Sequence, residues 1–333
     1  MKSFSFLFLF VCATIFFACV ETTTVANGFV EVVDSYSEWP AISRLSVLRR
    51  TDSWNNDLNT AKQELNVLSK EMSNQSDEQR LAIMSFNIRY DEPRDGEHNW
   101  RFRRQAAVDM ILDQKVDIVG IQEGLEHQVA YLDSALHEFN TVGVGRDSQN
   151  PKGNEFSSIF YKPSRFELLD SGTQWLSETP SIPSKGWDAS LNRIYTWVKL
   201  KDKKSQKKMI VINTHFDHRG AVARKESAKL IAKVAKELSE EKNIPLFVIG
   251  DFNAVPDDPL FEPIYNYLQS AQQTAPVTDN HGTFNAFKDG YEGNIIDYIF
   301  YRNARPLRYE TVIKNYGVKF VSDHYPVVSV LVF

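Results

Sequence analysis

The chain has 333 residues, 42% hydrophobic and 12% aromatic, with a formal charge of −5. That is apolar material for one large domain with appendages, or for two small domains. The mild acidity argues against a protein that coats nucleic acid non-specifically, while leaving room for a local basic groove.

At the N-terminus, Met1-Lys2 gives a short positive start, and Phe4 to Ala18 is apolar apart from Ser5 and Thr14. The run is too short for a good membrane span, so residues 1–26 are expected to be a secretory signal peptide. Thr24-Val25-Ala26 offers small residues for cleavage. An uncleaved signal anchor is the weaker alternative, and a lipid-modified Cys19 weaker still. The expected destination is therefore extracellular, with no membrane span left after cleavage. Both cysteines, Cys12 and Cys19, lie in this leader. The mature chain is thus expected to use neither disulfides nor thiolate chemistry.

Residues 27–79 read as a polar linker or pro-segment with no strand-like run. Leu58, Ala61, Leu65, Leu68 and Met72, three and four apart, suggest one amphipathic helix. Such a helix either lies on the domain or covers a site as an inhibitory or partner-binding arm. Asn74-Gln75-Ser76 is the only N-glycosylation sequon.

From residue 80 to 333 apolar strands alternate with helical patterns. The pattern predicts strands over Ala82–Ile88 and Val116–Gln122 around a helix over Arg103–Gln114. It predicts strands over Met209–Thr214 and Pro245–Ile249 around a helix over Ala221–Glu241. Shorter strands are expected around Ser157–Tyr161, Tyr195–Leu200, Ile295–Tyr301 and Val327–Phe333. Two similar halves in one α/β sandwich fit this order better than a barrel.

The strand ends carry the chemistry. Gly250-Asp251-Phe252-Asn253 follows an apolar strand, and residues two apart on an extended backbone share a face. Asn87 ends the first strand, Glu123 follows the second, and Asn213-Thr214-His215-Phe216-Asp217-His218 ends another. Asp297 sits among Ile295, Ile296 and Ile299, where a carboxylate is costly to bury without a partner; His324 would supply one. Carboxylates with Asn and His and no Cys suit Mg²⁺, or Mn²⁺, better than zinc. A zinc site on His215, Asp217 and His218 would be short of ligands.

These residues, in this order, resemble the endonuclease/exonuclease/phosphatase superfamily, over about Leu81 to Phe333. Met84 to Asp91 with Arg103, Gly186-Trp187-Asp188-Ala189 with Arg193, and His215 to Gly220 resemble its often secreted, poorly characterised subgroup. The resemblance implies a four-layer α/β sandwich with two central mixed sheets. It implies metal near Glu123, Asn87 and Asp323, with Asp251 activating a water and Asn253 holding it. It implies that His324, oriented by Asp297, donates to the phosphoryl oxygens. His215 would lie near the leaving group, oriented by Glu155, and Arg89, Arg193, Asp217 and His218 would contact substrate. Arg89 stands where apurinic endonucleases carry an acid, which argues against a dedicated abasic-site enzyme.

The expected activity is divalent-metal-dependent hydrolysis of phosphodiesters, nucleic acid among them, by direct attack of water from a monomer. Hydrolysis of phosphomonoesters or lipid head groups (inositol phosphate or sphingomyelin) is the alternative, followed by a non-catalytic binding protein.

Overall fold

The computed structural model describes residues 22–26, 29–33, 80–150, 153–239, 243–291 and 293–333. The chain divides into two compact units, residues 1–76 and 77–333. In the first, β1 (Thr22–Ala26) pairs antiparallel with β2 (Phe29–Val33). The expectation of no strand-like run after residue 26 is thereby corrected. Asn27-Gly28 is a strong two-residue hairpin signal, and Phe29-Val30-Glu31-Val32-Val33 is rich in strand formers. The expected helix around Leu58–Met72 and the sequon at Asn74 lie outside the described residues.

The second unit is built on two strand–helix–strand units, as the sequence pattern implies. In one, β3 (Arg80–Asn87) and β4 (Ile118–Gln122) are parallel neighbours joined through α1 (Trp100–Asp113). In the other, β9 (Lys208–His215) and β10 (Leu246–Asp251) are parallel neighbours joined through α3 (Ala221–Leu238). Between them lie α2 (Glu126–Ala135), β5 (Asn140–Val142), β6 (Ile159–Tyr161), β7 (Phe166–Trp175) and β8 (Ile194–Asp202). After them come β11 (Gln269–Ser270), β12 (Asp297–Arg302), β13 (Arg305–Thr311) and β14 (Val327–Val332).

The strands form two six-stranded mixed sheets, ordered β13-β14-β3-β4-β6-β5 and β11-β12-β10-β9-β8-β7. Period-two alternation explains the layers. On β3, Leu81 and Ile83 enter the core between the sheets, while Met84 and Phe86 pack outward with Met110, Ile111 and Leu132 of α1 and α2. On β10, Phe247 and Ile249 face between the sheets, while Leu246 and Val248 meet Ala228, Ile231 and Ala235 of α3. Strands buried on both faces read as unbroken apolar runs, which is why these four were legible. The result is helix, sheet, sheet, helix. Among the described residues no helix is long and apolar enough to cross a membrane.

One glycine lets the sheets approach, and a second lets two strands of one sheet run close. A Cβ on Gly120 would lie 2.5 Å from Ile249 Cδ1 on the opposite sheet, and one on Gly250 2.1 Å from the Thr214 carbonyl oxygen. Gly250 also has φ +153, which an L side chain rarely adopts. It lets β9 and β10 run close just before Asp251.

Candidate active site

Register assembles the site. Asp251 is the cross-strand partner of His215 on β9 and of Asp297 on β12. Asn87 is level with Gln122, so Glu123 emerges beside it. The chain then turns in the same way on both halves. The Arg89 N–H donates to Asn87 Oδ1 at 3.0 Å, and the Asn253 N–H to Asp251 Oδ1 at 2.8 Å. Arg89, Glu123 and Asn253 have φ +56, +63 and +48. Left-handed backbone at non-glycine residues is uncommon and concentrates at functional sites. Strand alternation therefore does not pair Asp251 with Asn253, as the sequence reading supposed: β10 stops at Asp251, and a side-chain-capped turn aims Asn253.

At the centre, Asn87 Nδ2 donates to Asp251 Oδ2 at 2.9 Å and to Glu123 Oε1 at 3.0 Å. Arg89 N–H bonds the Asn87 oxygen, and Asn87 turns its Nδ2 toward the two carboxylates. His324 Nδ1 meets Asp297 Oδ2 at 2.9 Å, as expected. Asp297 is 1% exposed but opens β12 instead of lying inside it. His324 Nε2 lies 3.8 Å from Asp251 Oδ2, and Phe284 packs edge-on against the ring at 5.1 Å. Asn253 Nδ2 contacts the Phe216 carbonyl and His215 Nε2, each at 3.1 Å. Since that carbonyl only accepts, the NH₂ end faces His215, whose Nε2 is then the unprotonated nitrogen.

Among the described residues, two groups bring three ligand-type atoms within 4.8 Å of one another: Glu123–His215–Asp251 and Asp251–Asp297–His324. The first offers a divalent cation two carboxylates; the His215 Nε2 lone pair accepts from Asn253 and would join them on release of that bond. The second is the hydrogen-bonded pair and its acid. Asp323, expected at the metal, belongs to neither; its Oδ2 lies 3.8 Å from Arg89 Nε and its Oδ1 takes the Ser322 hydroxyl at 3.3 Å.

Electrostatics separate the roles. Burial and the neighbouring Asp297 push the Asp251 carboxyl up to about 7. Burial opposes charge on His324, yet Asp297, Asp251 and Asp323 hold its pKa well above the ordinary value. Burial, reinforced by Arg193 and Arg146, drives His215 well below it. For Glu123 burial pulls upward, but the Asn87 bond, His324 and Arg89 bring it below the usual range. A basic carboxylate, a cationic donor and a neutral imidazole thus face one another.

Other expected site residues are otherwise engaged. Glu155 places both oxygens on Arg146, at 2.7 and 2.8 Å, so its bonds run to Arg146 instead of to His215. Arg89 is forked onto Asp95 at 2.9 and 3.0 Å. Asp217 is a buried hub, accepting from Ser190 Oγ, Leu191 N, Arg219 N, Gly220 N and Arg193 Nε; with five donors on it, it is corrected from substrate ligand to scaffold. His218 is exposed, its Nδ1 3.0 Å from Arg193 Nη2. Asp188 of the Gly-Trp-Asp-Ala motif caps α3 through Ala223 N at 2.6 Å.

The sequence reading missed Arg146, which with Glu123, Glu155, Phe156, Ser157, Arg193, Ile194 and His215 lines a narrow pocket. Arg103, noted in sequence only as part of the subgroup resemblance, donates to the carbonyls of Ile88, Arg89 and Val321 and ties the β3 exit to the loop bearing His324. A second omission is the clamp between sheets, Gln122 Nε2 to Asn213 Oδ1 at 2.6 Å and Asn213 Nδ2 to the Ile121 carbonyl at 2.8 Å. Both amides sit in the quoted motifs; only their pairing across sheets was invisible.

Known proteins resemble this chain in sequence and fold. The sequence profile of the Endonuclease/Exonuclease/phosphatase family matches residues 84–324. A structure of an endonuclease/exonuclease/phosphatase from Bacteroides vulgatus is 37% identical, covering 76% of this chain and 98% of that one, with a TM-score of 0.71. A mannosyl-6-phosphatase from Bacteroides thetaiotaomicron VPI-5482 is 34% identical, covering 76% and 100%, with a TM-score of 0.72. An uncharacterized protein of Acanthamoeba polyphaga mimivirus is 27% identical over 261 residues, 70% of this chain and 92% of that one.

Proposed function

This chain belongs to the Endonuclease/Exonuclease/phosphatase family and is a metal-dependent phosphoric ester hydrolase, and from that premise we propose that it cleaves small phosphate monoesters of the sugar-phosphate type. The observation that carries this reading is the narrow pocket beside Glu123 and His215. Its walls hold two buried arginines, Arg146 and Arg193. A small polar group fits such a recess; a polymer needs a long open groove with unpaired cations. The mannosyl-6-phosphatase among the similar structures supports the same choice. The diester reading drawn from sequence becomes second.

Glu123 and Asp251 would hold the cation, with His215 joining them on release of its Asn253 bond, Mg²⁺ being the best match to a mainly carboxylate set. When bound, the cation neutralises the phosphoryl oxygens and lowers the barrier to nucleophile approach. Asp251, deprotonated once the cation is held, accepts the proton of the attacking water, and the Asn253 amide orients that water. The water oxygen forms the new P–O bond as the ester P–O bond breaks, and the departing alkoxide is protonated from solvent. His324, charged and fixed by Asp297, donates to the oxygen on which negative charge grows. No serine or cysteine nucleophile is required.

Secretion through residues 1–26 belongs to the same proposal and is supported by the composition of that leader. Mass spectrometry of the exported protein tests it; an N-terminus at Met1 would overturn it. Activity is tested on hexose 6-phosphates, p-nitrophenyl phosphate, bis-p-nitrophenyl phosphate, inositol phosphates, sphingomyelin, DNA and RNA. Highest kcat/KM on a hexose phosphate is expected. A nucleic acid or simple diester at the top would restore the diester reading.

A further inference from the structure

We infer that Arg193, backed by the Arg146–Glu155 pair, forms a hydroxyl-recognition subsite for the alcohol half of the substrate; this rests on the monoester reading. Arg193 is 4% exposed. Its Nε donates to Asp217 Oδ2 at 3.3 Å and its Nη2 lies 3.0 Å from His218 Nδ1. Its buried Nη1 has no hydrogen-bond partner among the described residues. Buried guanidinium nitrogens are rarely left unbonded, because losing water without a replacement costs free energy. Arg193 stands in the wall of the pocket that also contains Glu123 and His215, so an oxygen of a bound substrate is the fitting acceptor.

Charge selects the kind of oxygen. Arg146 spends its Nη1 and Nη2 on the two Glu155 oxygens and its Nε on the Gly153 carbonyl at 2.9 Å. Arg193 is matched by Asp217. A second anionic group would therefore find no unpaired cation, and would face the carboxylates of Glu123 and Glu155. A hydroxyl suits the pocket better. It accepts from Arg193 Nη1 and can donate to a spare lone pair of Glu155, since each carboxylate oxygen takes more than one bond. The Asp217 hub fixes the fork before substrate arrives, so little ordering is needed on binding. The bidentate Arg146 does the same for Glu155.

The full chain is assayed with hexose 6-phosphates and with cyclohexylmethyl phosphate, which has a similar ring and no hydroxyl. The best hexose phosphate should exceed the bare ring by about 100-fold in kcat/KM, since a site built to bond a hydroxyl rejects an analogue lacking it. Equal values, within about threefold, would overturn the subsite while leaving monoester hydrolysis intact. Absence of turnover on every monoester would instead remove the monoester reading. Arg193→Lys keeps the charge but not the fork, and should shrink the ratio between the two substrates at least about tenfold. An unchanged ratio in a folded variant would overturn the role of Arg193. The wild-type comparison decides the subsite even where that variant does not fold.

Discussion

Removing Asp297 asks whether His324 works alone or as half of a pair. The two side chains meet at 2.9 Å and are both buried. Burial alone disfavours the imidazolium, and the Asp297 carboxylate is the largest influence opposing it. In Asp297→Ala that influence is gone, so the charged fraction of His324 falls and the ring loses its orienting acceptor. If His324 is a preorganised donor to developing charge, His324→Ala lowers kcat by about 10²–10³. Asp297→Ala should do about the same, and the double variant no more than either, as for residues acting as a unit. Stability separates the variants further. Breaking a buried pair by removing one partner costs about 3–5 kcal/mol, whereas removing both spares the orphaned charge. The pH dependence has a definite sign. His324 has a raised folded pKa, so its contribution is fully present below its unfolded value of 6.5 and is lost as pH rises through the folded value. The melting gap between parent and Asp297→Ala should therefore be widest in mild acid. The assay is kcat for the four proteins on the best substrate, with melts from pH 5 upward. Multiplicative rate losses would show that Asp297 does not act through His324.

Asp251→Asn is nearly isosteric but cannot accept a proton, so kcat should fall by about 10²–10⁴; a loss under threefold would exclude Asp251 as the base. Because Asp251 is held up to about 7, the metal-free protein loses stability as pH climbs from its unfolded value of 3.8 through 7. A cation must displace that proton, so metal affinity should rise with pH across this window, with about one proton released. Calorimetry in two buffers of different ionisation enthalpy reads this, and an affinity flat from pH 5.5 to 8 would refute it. A chain beginning at Asp77, the start of the second compact unit, should unfold cooperatively. Loss of that transition would place the preceding segment in the core, and a gain in activity would make it inhibitory.

Much of the site was legible because strands buried on both faces gather their charged and amide residues at the ends. Asn87, Glu123, His215, Asp251 and Asp297 stood out against apolar runs for that reason. What escaped notice lacks that contrast. Strand β7 is an edge strand with mostly exposed or half-exposed residues, so Phe166 to Trp175 shows no apolar run. Arg146 lies in a loop among polar neighbours and gains meaning only by folding onto Glu155. The left-handed turns at Arg89, Glu123 and Asn253 occur at residues whose types do not demand them; side-chain caps from Asn87 and Asp251 impose two of them. Asp217 misled because a His-Phe-Asp-His string advertises ligands. Its neighbours Arg219 and Gly220 turn back and donate to it, which only the backbone path reveals.

The most direct measurement of the central claim is hydrolysis of the best monoester before and after exhaustive chelation, followed by Mg²⁺ addition, in parent and Glu123→Ala. The site of Glu123, Asp251 and His215 predicts that chelation abolishes turnover and that Mg²⁺ restores it in the parent. In Glu123→Ala, restoration should need a much higher Mg²⁺ concentration and reach a lower rate. Full activity after chelation, or the same Mg²⁺ requirement in both proteins, would contradict a cation held at Glu123.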